Sequence, residues 1–420
     1  MIATGAVLLV LALLGAPLFA VIAASAMLGF WREEIDLSVI GIEFFGLSET
    51  PVLVAIPLFT FAGFLLSEGQ APRRLVRLSQ ALLGWLPGGL AMISLAACAL
   101  FTAFTGASGV TIIALGALLF PALAEAGYDR RFNLGLITTS GSLGLLFAPS
   151  LPLILYGVVA EASIDDLFLA GLLPGLLMLV LLSLYSWWRN RHMRPAPSGS
   201  GAPGAELLAA VRDAKWDLPL PVVVLGGIYG GFFAVSEAAA ATALYVAVVE
   251  LVILREVRWR EMPRIVRESM VLVGAILMIL GMSLASTNYM IDIGVPQRLF
   301  GLIGDYVQGP QTFLLALLVF LLVLGAFLDI FSATVLVVPL ILPVALEYGI
   351  DPIHLGIVFL AAMELGYLTP PVGLNLFISS HRFDKDITEV YLATVPFLLV
   401  LLVSVVIITY WPALSLFLLE

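Results

Sequence analysis

Apolar runs long enough to cross a ~30 Å hydrocarbon layer recur from one end of the chain to the other. They predict spans over 2–28, 52–66, 132–160, 168–188, 218–236, 238–254, 270–289, 354–378 and 390–411. The runs lack the alternation of a barrel strand, so the spans are helices. Two further apolar stretches, 90–127 and 312–349, are interrupted midway by short polar residues: Thr102, Thr105, Gly106, Ser108 and Gly109 in the first, Asp329, Ser332 and Thr334 in the second. Basic residues cluster at Arg73, Arg74 and Arg77, at Arg130 and Arg131, at Arg189, Arg191 and Arg194, from Arg255 to Arg267, and at Arg382 and Lys385. Cytoplasmic loops retain excess Lys and Arg, which puts all five clusters on that side. The stretch between Arg77 and Arg130 must then enter the membrane and turn back as a re-entrant hairpin. The stretch 305–353 has no Lys or Arg at either end, and reads as a hairpin entering from the opposite side.

The two halves repeat each other. Phe120-Pro121-Ala122-Leu123-Ala124-Glu125-Ala126-Gly127-Tyr128-Asp129 matches Leu342-Pro343-Val344-Ala345-Leu346-Glu347-Tyr348-Gly349-Ile350-Asp351, with Pro, Glu, Gly and Asp all 222 residues apart. Nearly the same offset relates Pro72, Arg74 and Leu75 to Pro296, Arg298 and Leu299, Gly144 to Gly366, and Pro149 to Pro370. After the shared Gly-x-Asp the first copy continues Arg130-Arg131 and the second Pro352-Ile353. One loop is strongly basic and its equivalent uncharged, so the copies have opposite topology. The chain therefore divides into a first inverted repeat (1–188; hairpin about 90–127, broken helix about 132–160), a Pro/Gly/Ser-rich cytoplasmic linker (189–217) and a second repeat (218–420; hairpin about 312–349, broken helix about 354–378). Inverted repeats place a binding site near the midplane, at broken helices, and support alternating access. The expected fold is an all-α polytopic membrane protein, and the expected activity is transport.

Composition agrees. Of 420 residues 61% are hydrophobic and 11% charged, with mean hydropathy +1.12, far outside the soluble average. A net charge of −10 without a basic stripe sets nucleic acid aside. The single Cys98 cannot form an intrachain disulfide and lies in an apolar run, where it packs as a small hydrophobe. Ala24-Ser25-Ala26 resembles a signal-cleavage site, but no basic region precedes it and the apolar run is too long; it reads as part of a retained first span.

The chemistry concentrates at the interruptions. Thr105-Gly106-Ala107-Ser108-Gly109 forms one hairpin tip, and Pro149 and Pro152 break the span that follows. Proline lacks an N–H and displaces a carbonyl of the preceding turn, so such a pair frees backbone oxygens in mid-membrane. With the tip hydroxyls these are the hard neutral ligands a partly dehydrated Na⁺ accepts, while half-helix N-termini direct positive dipoles at an anionic substrate. The competing structural reading is a proline kink satisfied by neighbouring Ser and Thr. The second half repeats the arrangement with Asp329, Ser332 and Thr334, then Gly366-Tyr367-Leu368-Thr369-Pro370-Pro371-Val372-Gly373-Leu374-Asn375. A charged Asp at the membrane centre costs roughly 2.5 to 3.5 kcal/mol, so Asp329 faces a polar cavity, is paired, or is protonated; capping its own helix is the structural alternative. Glu364, just ahead of Pro370, is a candidate for binding a cation, a proton or a tip hydroxyl. Ser236 fits an N-cap with Glu237 in the first turn of the helix it opens. The segments 72–84 and 296–306 mix Arg, Leu and aromatics at helical spacing and read as interfacial arms or plain amphipathic connectors.

These residues resemble the large membrane subunit of TRAP (tripartite ATP-independent periplasmic) transporters, within the ion transporter superfamily. The resemblance is nearly full-length. It rests on Gly127-Tyr128-Asp129, on Ser140-Gly141-Ser142-Leu143-Gly144 with Ala148-Pro149-Ser150-Leu151-Pro152 and Tyr156-Gly157, on Ala170-Gly171-Leu172-Leu173-Pro174-Gly175, on Glu237-Ala238-Ala239-Ala240, and on Gly349-Ile350-Asp351-Pro352 with Thr369-Pro370-Pro371-Val372-Gly373-Leu374-Asn375. It implies Na⁺-coupled import of an organic acid or similar small, anionic solute by an elevator movement across the inner membrane. The implied partners are a periplasmic solute-binding protein and a small four-helix membrane subunit. It also implies Na⁺ ligands at Thr105, Ser108, Ser150, Ser332, Thr369 and Asn375; the residue pattern itself adds Asp329, Thr334, Glu364, Pro149 and Pro370 as substrate or coupling candidates. Two departures stand out: Ala148-Pro149-Ser150 replaces the family's usual Pro-Pro-Ser, and the second tip carries bulky Ile330 and Phe331.

Two other readings compete. A carboxylate symporter of the same superfamily, driven by Na⁺ or H⁺, would need no binding protein. An intramembrane serine protease is suggested by Gly106-Ala107-Ser108-Gly109, but requires a histidine base beside the serine, and the chain offers only His192, His354 and His381, in or beside expected loops.

Overall fold

The computed structural model describes residues 7, 8, 10, 11, 14, 16–83, 88–192, 203–304, 307 and 309–419. The start of the expected first span, part of the Pro/Gly/Ser-rich linker and the end of the second arm lie outside them. The described residues are helical, without a strand, and seven of their helices are long and apolar enough to cross a membrane.

Among the described residues, α1 (Leu18–Arg32), α2 (Ser38–Gly46), α3 (Ala55–Glu68) and α4 (Ala71–Leu83) precede the first hairpin. The first hairpin is α5 (Gly89–Thr105) and α6 (Ser108–Glu125), followed by α7 (Arg130–Ser140), α8 (Leu151–Val159) and the long α9 (Ile164–Asn190). After α10 (Pro203–Asp213), α11 (Pro219–Tyr229), α12 (Val235–Val248), α13 (Met262–Asp292) and α14 (Val295–Gly304), the same order returns. The second hairpin is α15 (Pro310–Gly325) and α16 (Ile330–Glu347), followed by α17 (Pro352–Gly366), α18 (Leu374–Phe383), α19 (Ile387–Tyr410) and the short α20 (Ala413–Leu416).

The paired motifs have local physical causes. Gly127 and Gly349 follow α6 and α16 with φ of +85° and +71°, the left-handed conformation that closes a helix end and favours glycine. Two residues on, Asp129 accepts the N–H of Phe132 at 3.2 Å, and Asp351 accepts those of Ile353 and His354 at 2.7 and 3.2 Å. Each Gly-x-Asp thus ends one helix and caps the next. Asp386 caps α19 in the same way, and the Thr388 N–H at 2.7 Å holds its carboxyl below the usual carboxylate range.

Packing fixes the direction of the hairpins. Gly109 of α6 abuts Ile378, Gly116 abuts Phe383, and Arg382 Nε donates to the Ile113 carbonyl at 3.3 Å. Helices α6 and α18 therefore run side by side in one direction, and the base of the first hairpin shares a side with the end of α18. Helix α17 begins at the base of the second hairpin and leads into α18, which puts the two bases at opposite ends of the bundle. The core between them is built of fully buried Phe59, Phe101, Tyr156, Phe168, Phe359 and Phe397. Against it, α3, α12, α13 and α1 form a contiguous wall.

Several expected boundaries move. The first broken span unwinds after Ser140, well before Pro149, and Pro152 sits in the first turn of α8, where its missing N–H costs nothing. Tight turns carry the chain instead: Leu145 N–H bonds to the Ser142 carbonyl and Phe147 N–H to that of Gly144. The second broken span extends past 378 to Phe383. Helix α11 has only 11 residues and ends at Gly230-Gly231, too short to cross the membrane alone. The linker contains α10, whose Ala210 packs on Leu78 of α4 together with Ala214, just past its end. Ser236 is not a cap: α12 begins after Ala234, whose N–H is accepted by Glu237 Oε2 at 3.0 Å.

Candidate substrate and ion site

Both hairpin tips turn inside the bundle. At the first, Gly106 adopts φ +63°, and a Cβ there would fall 2.4 Å from Leu151 Cγ, so both conformation and space require glycine. At the second, Asp329 caps α16: Oδ1 accepts the N–H of Phe331 and of Ser332 at 3.0 Å each, and Oδ2 the Ser332 hydroxyl at 2.5 Å. Each unwound segment is tied to its own hairpin. Thr102 Oγ donates to the Gly141 carbonyl at 2.9 Å, while Gly373 N–H donates to the Ala326 carbonyl at 3.2 Å and Ile330 N–H to Tyr367 Oη at 2.9 Å. Equivalent glycines make the approach possible: Gly144 lies under the Ala99 carbonyl and Gly366 against the Gly325 backbone.

A cavity of about 390 Å³ separates the two tips. Ser108 and neighbours line it from the first tip, Asp329 with Ile330 and Phe331 from the second, Leu145 and Tyr367 from the unwound segments, and Phe64 and Leu272 from the wall helices α3 and α13. Phe64 lies one turn from Glu68, which pairs with Arg264 at 2.5 Å at the basic end of α13. The cavity therefore lies toward the end of α3 and α13 that carries this pair. No Lys or Arg lines it among the described residues; the lining is mainly apolar, with Ser108, Asp329 and Tyr367 as its polar side chains and the α6 N-terminus beside them. That N-terminus has no side-chain cap, as Ala107 precedes it.

The expected site residues differ in their surroundings. Ser108 and Asp329 line the cavity. Thr105 and Asn375 are fully buried near it, with Thr105 Oγ and Asn375 Oδ1 lacking a hydrogen-bond partner. Asn375 Nδ2 reaches the Thr138 carbonyl at 3.3 Å, joining α18 to α7. The remaining hydroxyls are engaged locally: Ser150 Oγ donates to the Leu145 carbonyl at 2.5 Å, Thr334 Oγ to that of Ile330 at 2.6 Å, and Thr369 Oγ to that of Leu365 at 3.0 Å. Such hydroxyls retain lone pairs and can still accept or ligate. Pro149 and Pro370 take part in the cis peptide bonds Ala148–Pro149 and Pro370–Pro371. Glu364 is fully buried with both carboxyl oxygens unpartnered.

The sequence pattern did not single out Tyr367, Phe64 or Leu272. Tyr367 lies inside the second helix break, but nothing in the chain's local pattern says that its hydroxyl receives the second tip. Thr139 Oγ and Ser379 Oγ are likewise buried without partners. Like Thr105 Oγ and Asn375 Oδ1, these are neutral oxygens without a partner. The serine-protease reading fails on geometry: His354 is engaged with Ser415 Oγ and the Thr409 carbonyl at 3.2 and 3.3 Å, and no histidine lines the Ser108 cavity.

Two hairpin tips meeting at one cavity, in a bundle with seven helices long and apolar enough to cross a membrane among the described residues, fit a polytopic membrane transporter. A family profile described as "Tripartite ATP-independent periplasmic transporter, DctM component" matches residues 5–414. The "C4-dicarboxylate TRAP transporter large permease protein DctM" of Pseudomonas aeruginosa is 36% identical over 377 residues, covering 90% of this chain and 88% of that protein. The "Ectoine/5-hydroxyectoine TRAP transporter large permease protein UehC" of Ruegeria pomeroyi is 33% identical over 423 residues, covering 98% and 96%. The "Isethionate TRAP transporter permease protein DctMQ" of Oleidesulfovibrio alaskensis is 34% identical over 90% of this chain and 59% of its own length. The Alcanivorax borkumensis YdaH transporter shares the fold with a TM-score of 0.59 at 15% identity, covering 90% of this chain and 88% of its own. The chain belongs to the DctM family of tripartite ATP-independent periplasmic transporters, as a large permease component: a multi-pass inner-membrane protein and not an enzyme.

Proposed function

We propose that the chain imports an organic acid or similar small solute by Na⁺-coupled symport, with two inverted repeats working as an elevator about a cytoplasmic linker. A periplasmic solute-binding protein delivers the solute, and a small membrane subunit completes the permease; the fused name of the isethionate relative accords with such a pairing. The observation that carries this reading is the single cavity bounded by both tips and both unwound segments. The oxygens without partners at Thr105 and Asn375 are where Na⁺ would be held, with Ser108, Ser150, Ser332 and Thr369 as further donors. When bound, the ion supplies positive charge beside a cavity that has no cationic side chain of its own. It thereby couples solute affinity to the Na⁺ gradient.

The magnitudes suffice. Each Na⁺ entering down ~100 mV supplies about 2.3 kcal/mol, and a tenfold gradient adds ~1.4 kcal/mol. Two ions therefore supply roughly 7 kcal/mol, of which about 3 kcal/mol remains if the solute is a dianion. Relatives named for a C4-dicarboxylate, for isethionate and for ectoine leave the solute open, and the bulky Ile330 and Phe331 in the wall narrow the choice toward solutes that tolerate apolar contact. The test is uptake into proteoliposomes holding this chain and its small subunit, with the binding protein outside. Accumulation should follow an imposed Na⁺ gradient; uptake that ignores Na⁺ but follows a pH gradient would refute the coupling. Uptake by this chain without a binding protein would favour the symporter alternative.

A further inference from the structure

A second cluster of charged groups lies away from the cavity, where α4 docks on the wall. Arg74 is its centre, with its side chain 11% exposed. Its Nε and Nη2 fork onto Asp217 Oδ2 and Oδ1 at 2.5 and 3.0 Å, Nη1 meets Glu256 Oε1, and Nη2 lies 3.4 Å from Glu250 Oε1. Glu256 Oε2 also accepts the N–H of Gln70, at 2.7 Å, just ahead of α4. Burial acts to lower the Arg74 pKa, but Asp217, Glu256 and Glu250 outweigh it and raise the value. Three carboxylates thus share one guanidinium. Glu250 is the least served: it is fully buried, its one ion-pair contact is long, and its Oε2 has no partner. That oxygen lies against the α-carbon of Gly69, where a Cβ would come within 2.4 Å.

We propose that the cluster is a proton-binding site, with one proton resident on Glu250 and facing Glu256, and that this proton keeps α4 latched to the cytoplasmic end of α12. A buried carboxylate with a bare oxygen is costly unless neutralised. A proton on Glu250 leaves Arg74 facing two carboxylates, Asp217 and Glu256, instead of three. The other groups facing the cluster do not supply the missing charge: Tyr245 Oη is occupied by the Trp216 carbonyl at 2.8 Å, and Lys215 Nζ sits 5.5 Å over the Trp216 ring. Loss of the proton puts a third negative charge beside one guanidinium. Relief then comes from water entering beneath Gly69, which loosens α4.

The test uses the full chain purified with its small subunit. An infrared difference spectrum of wild type minus Glu250→Gln, in D₂O at neutral pH, should show one protonated-carboxyl band that disappears as pH rises. Amide exchange over 71–83, corrected for the intrinsic pH dependence, should accelerate across the same pH range in wild type and stay flat in Glu250→Gln, which mimics the protonated acid. Asp217→Asn, which frees Arg74 to serve Glu250, should move the wild-type step to lower pH and covers the case in which the Gln variant does not fold. Absence of the band, or an exchange step that persists unchanged in Glu250→Gln, would overturn the proposal.

Discussion

Adding one methyl group at Gly366 tests whether the second tip and its unwound segment must touch. A Cβ there would fall 2.5 Å from Gly325 Cα, 2.7 Å from its carbonyl carbon and 3.0 Å from its oxygen, whereas ordinary contact begins near 3.4 Å. All three atoms are backbone, so no side chain can swing aside, and α15 must retreat from α17 by about 1 Å. The equivalent Gly144 is tighter, at 2.1 Å from the Ala99 carbonyl oxygen and 2.6 Å from Ala103 N. Overpacking of this kind costs ~1–3 kcal/mol, within reach of a folded protein. A ~1 Å misplacement at a binding centre can cost as much as 100-fold in rate. Gly366→Ala and Gly144→Ala should therefore still insert and purify, while initial uptake falls about 10- to 100-fold and the Na⁺ concentration for half-maximal uptake rises. Gly274→Ala on α13, with nothing within 4 Å of its Cβ, is the control and should transport normally. Wild-type uptake with unchanged Na⁺ dependence in both tight variants would show that the tips need not meet their breaks.

Tyr367→Phe removes the acceptor of the buried Ile330 N–H. An unpaired buried donor costs ~1–3 kcal/mol, so uptake and thermal stability should both fall, and an unchanged melting temperature would argue against this contact. Phe331→Ala enlarges the cavity beside Asp329 and should widen the range of solutes taken up, read by competition against the native solute; an unaltered competition profile would mean that Phe331 does not shape the pocket. The Glu68–Arg264 pair is exposed on both sides, so Glu68→Gln should change stability by less than ~1 kcal/mol, with a melting shift of several degrees counting against that estimate.

Much of this architecture was legible because its signals are chemical and local. The Gly-x-Asp pairs at 127–129 and 349–351 announce a helix end and a helix start. The tips were marked by polar residues that lipid would not tolerate, and Asp329 serves as the cap that its position allowed. What escaped depends on tertiary contact. The first unwound segment begins near Gly141, where Thr102 of another helix accommodates the freed carbonyl, rather than at the prolines. Tyr367 shares the apolar and aromatic character of many core residues until the second tip is laid against it. Phe64 and Leu272 face the cavity from helices whose sequences read as ordinary spans. The latch at Arg74 joins residues 143 to 182 positions apart, a pairing that no local pattern reports.

Alternating access, as proposed here, requires that one cavity, bounded by both tips, open to each side of the membrane in turn. Its most direct test is a cysteine at Val110, which lines the cavity, in a Cys98→Ala background, since Cys98 is the only native cysteine. A membrane-impermeant thiol reagent is applied from either side of oriented vesicles containing the permease. Labelling is expected from the cytoplasmic side in one Na⁺ and solute condition and from the periplasmic side in another, with protection by solute in both. Labelling from one side alone, under every Na⁺ and solute condition, would contradict it.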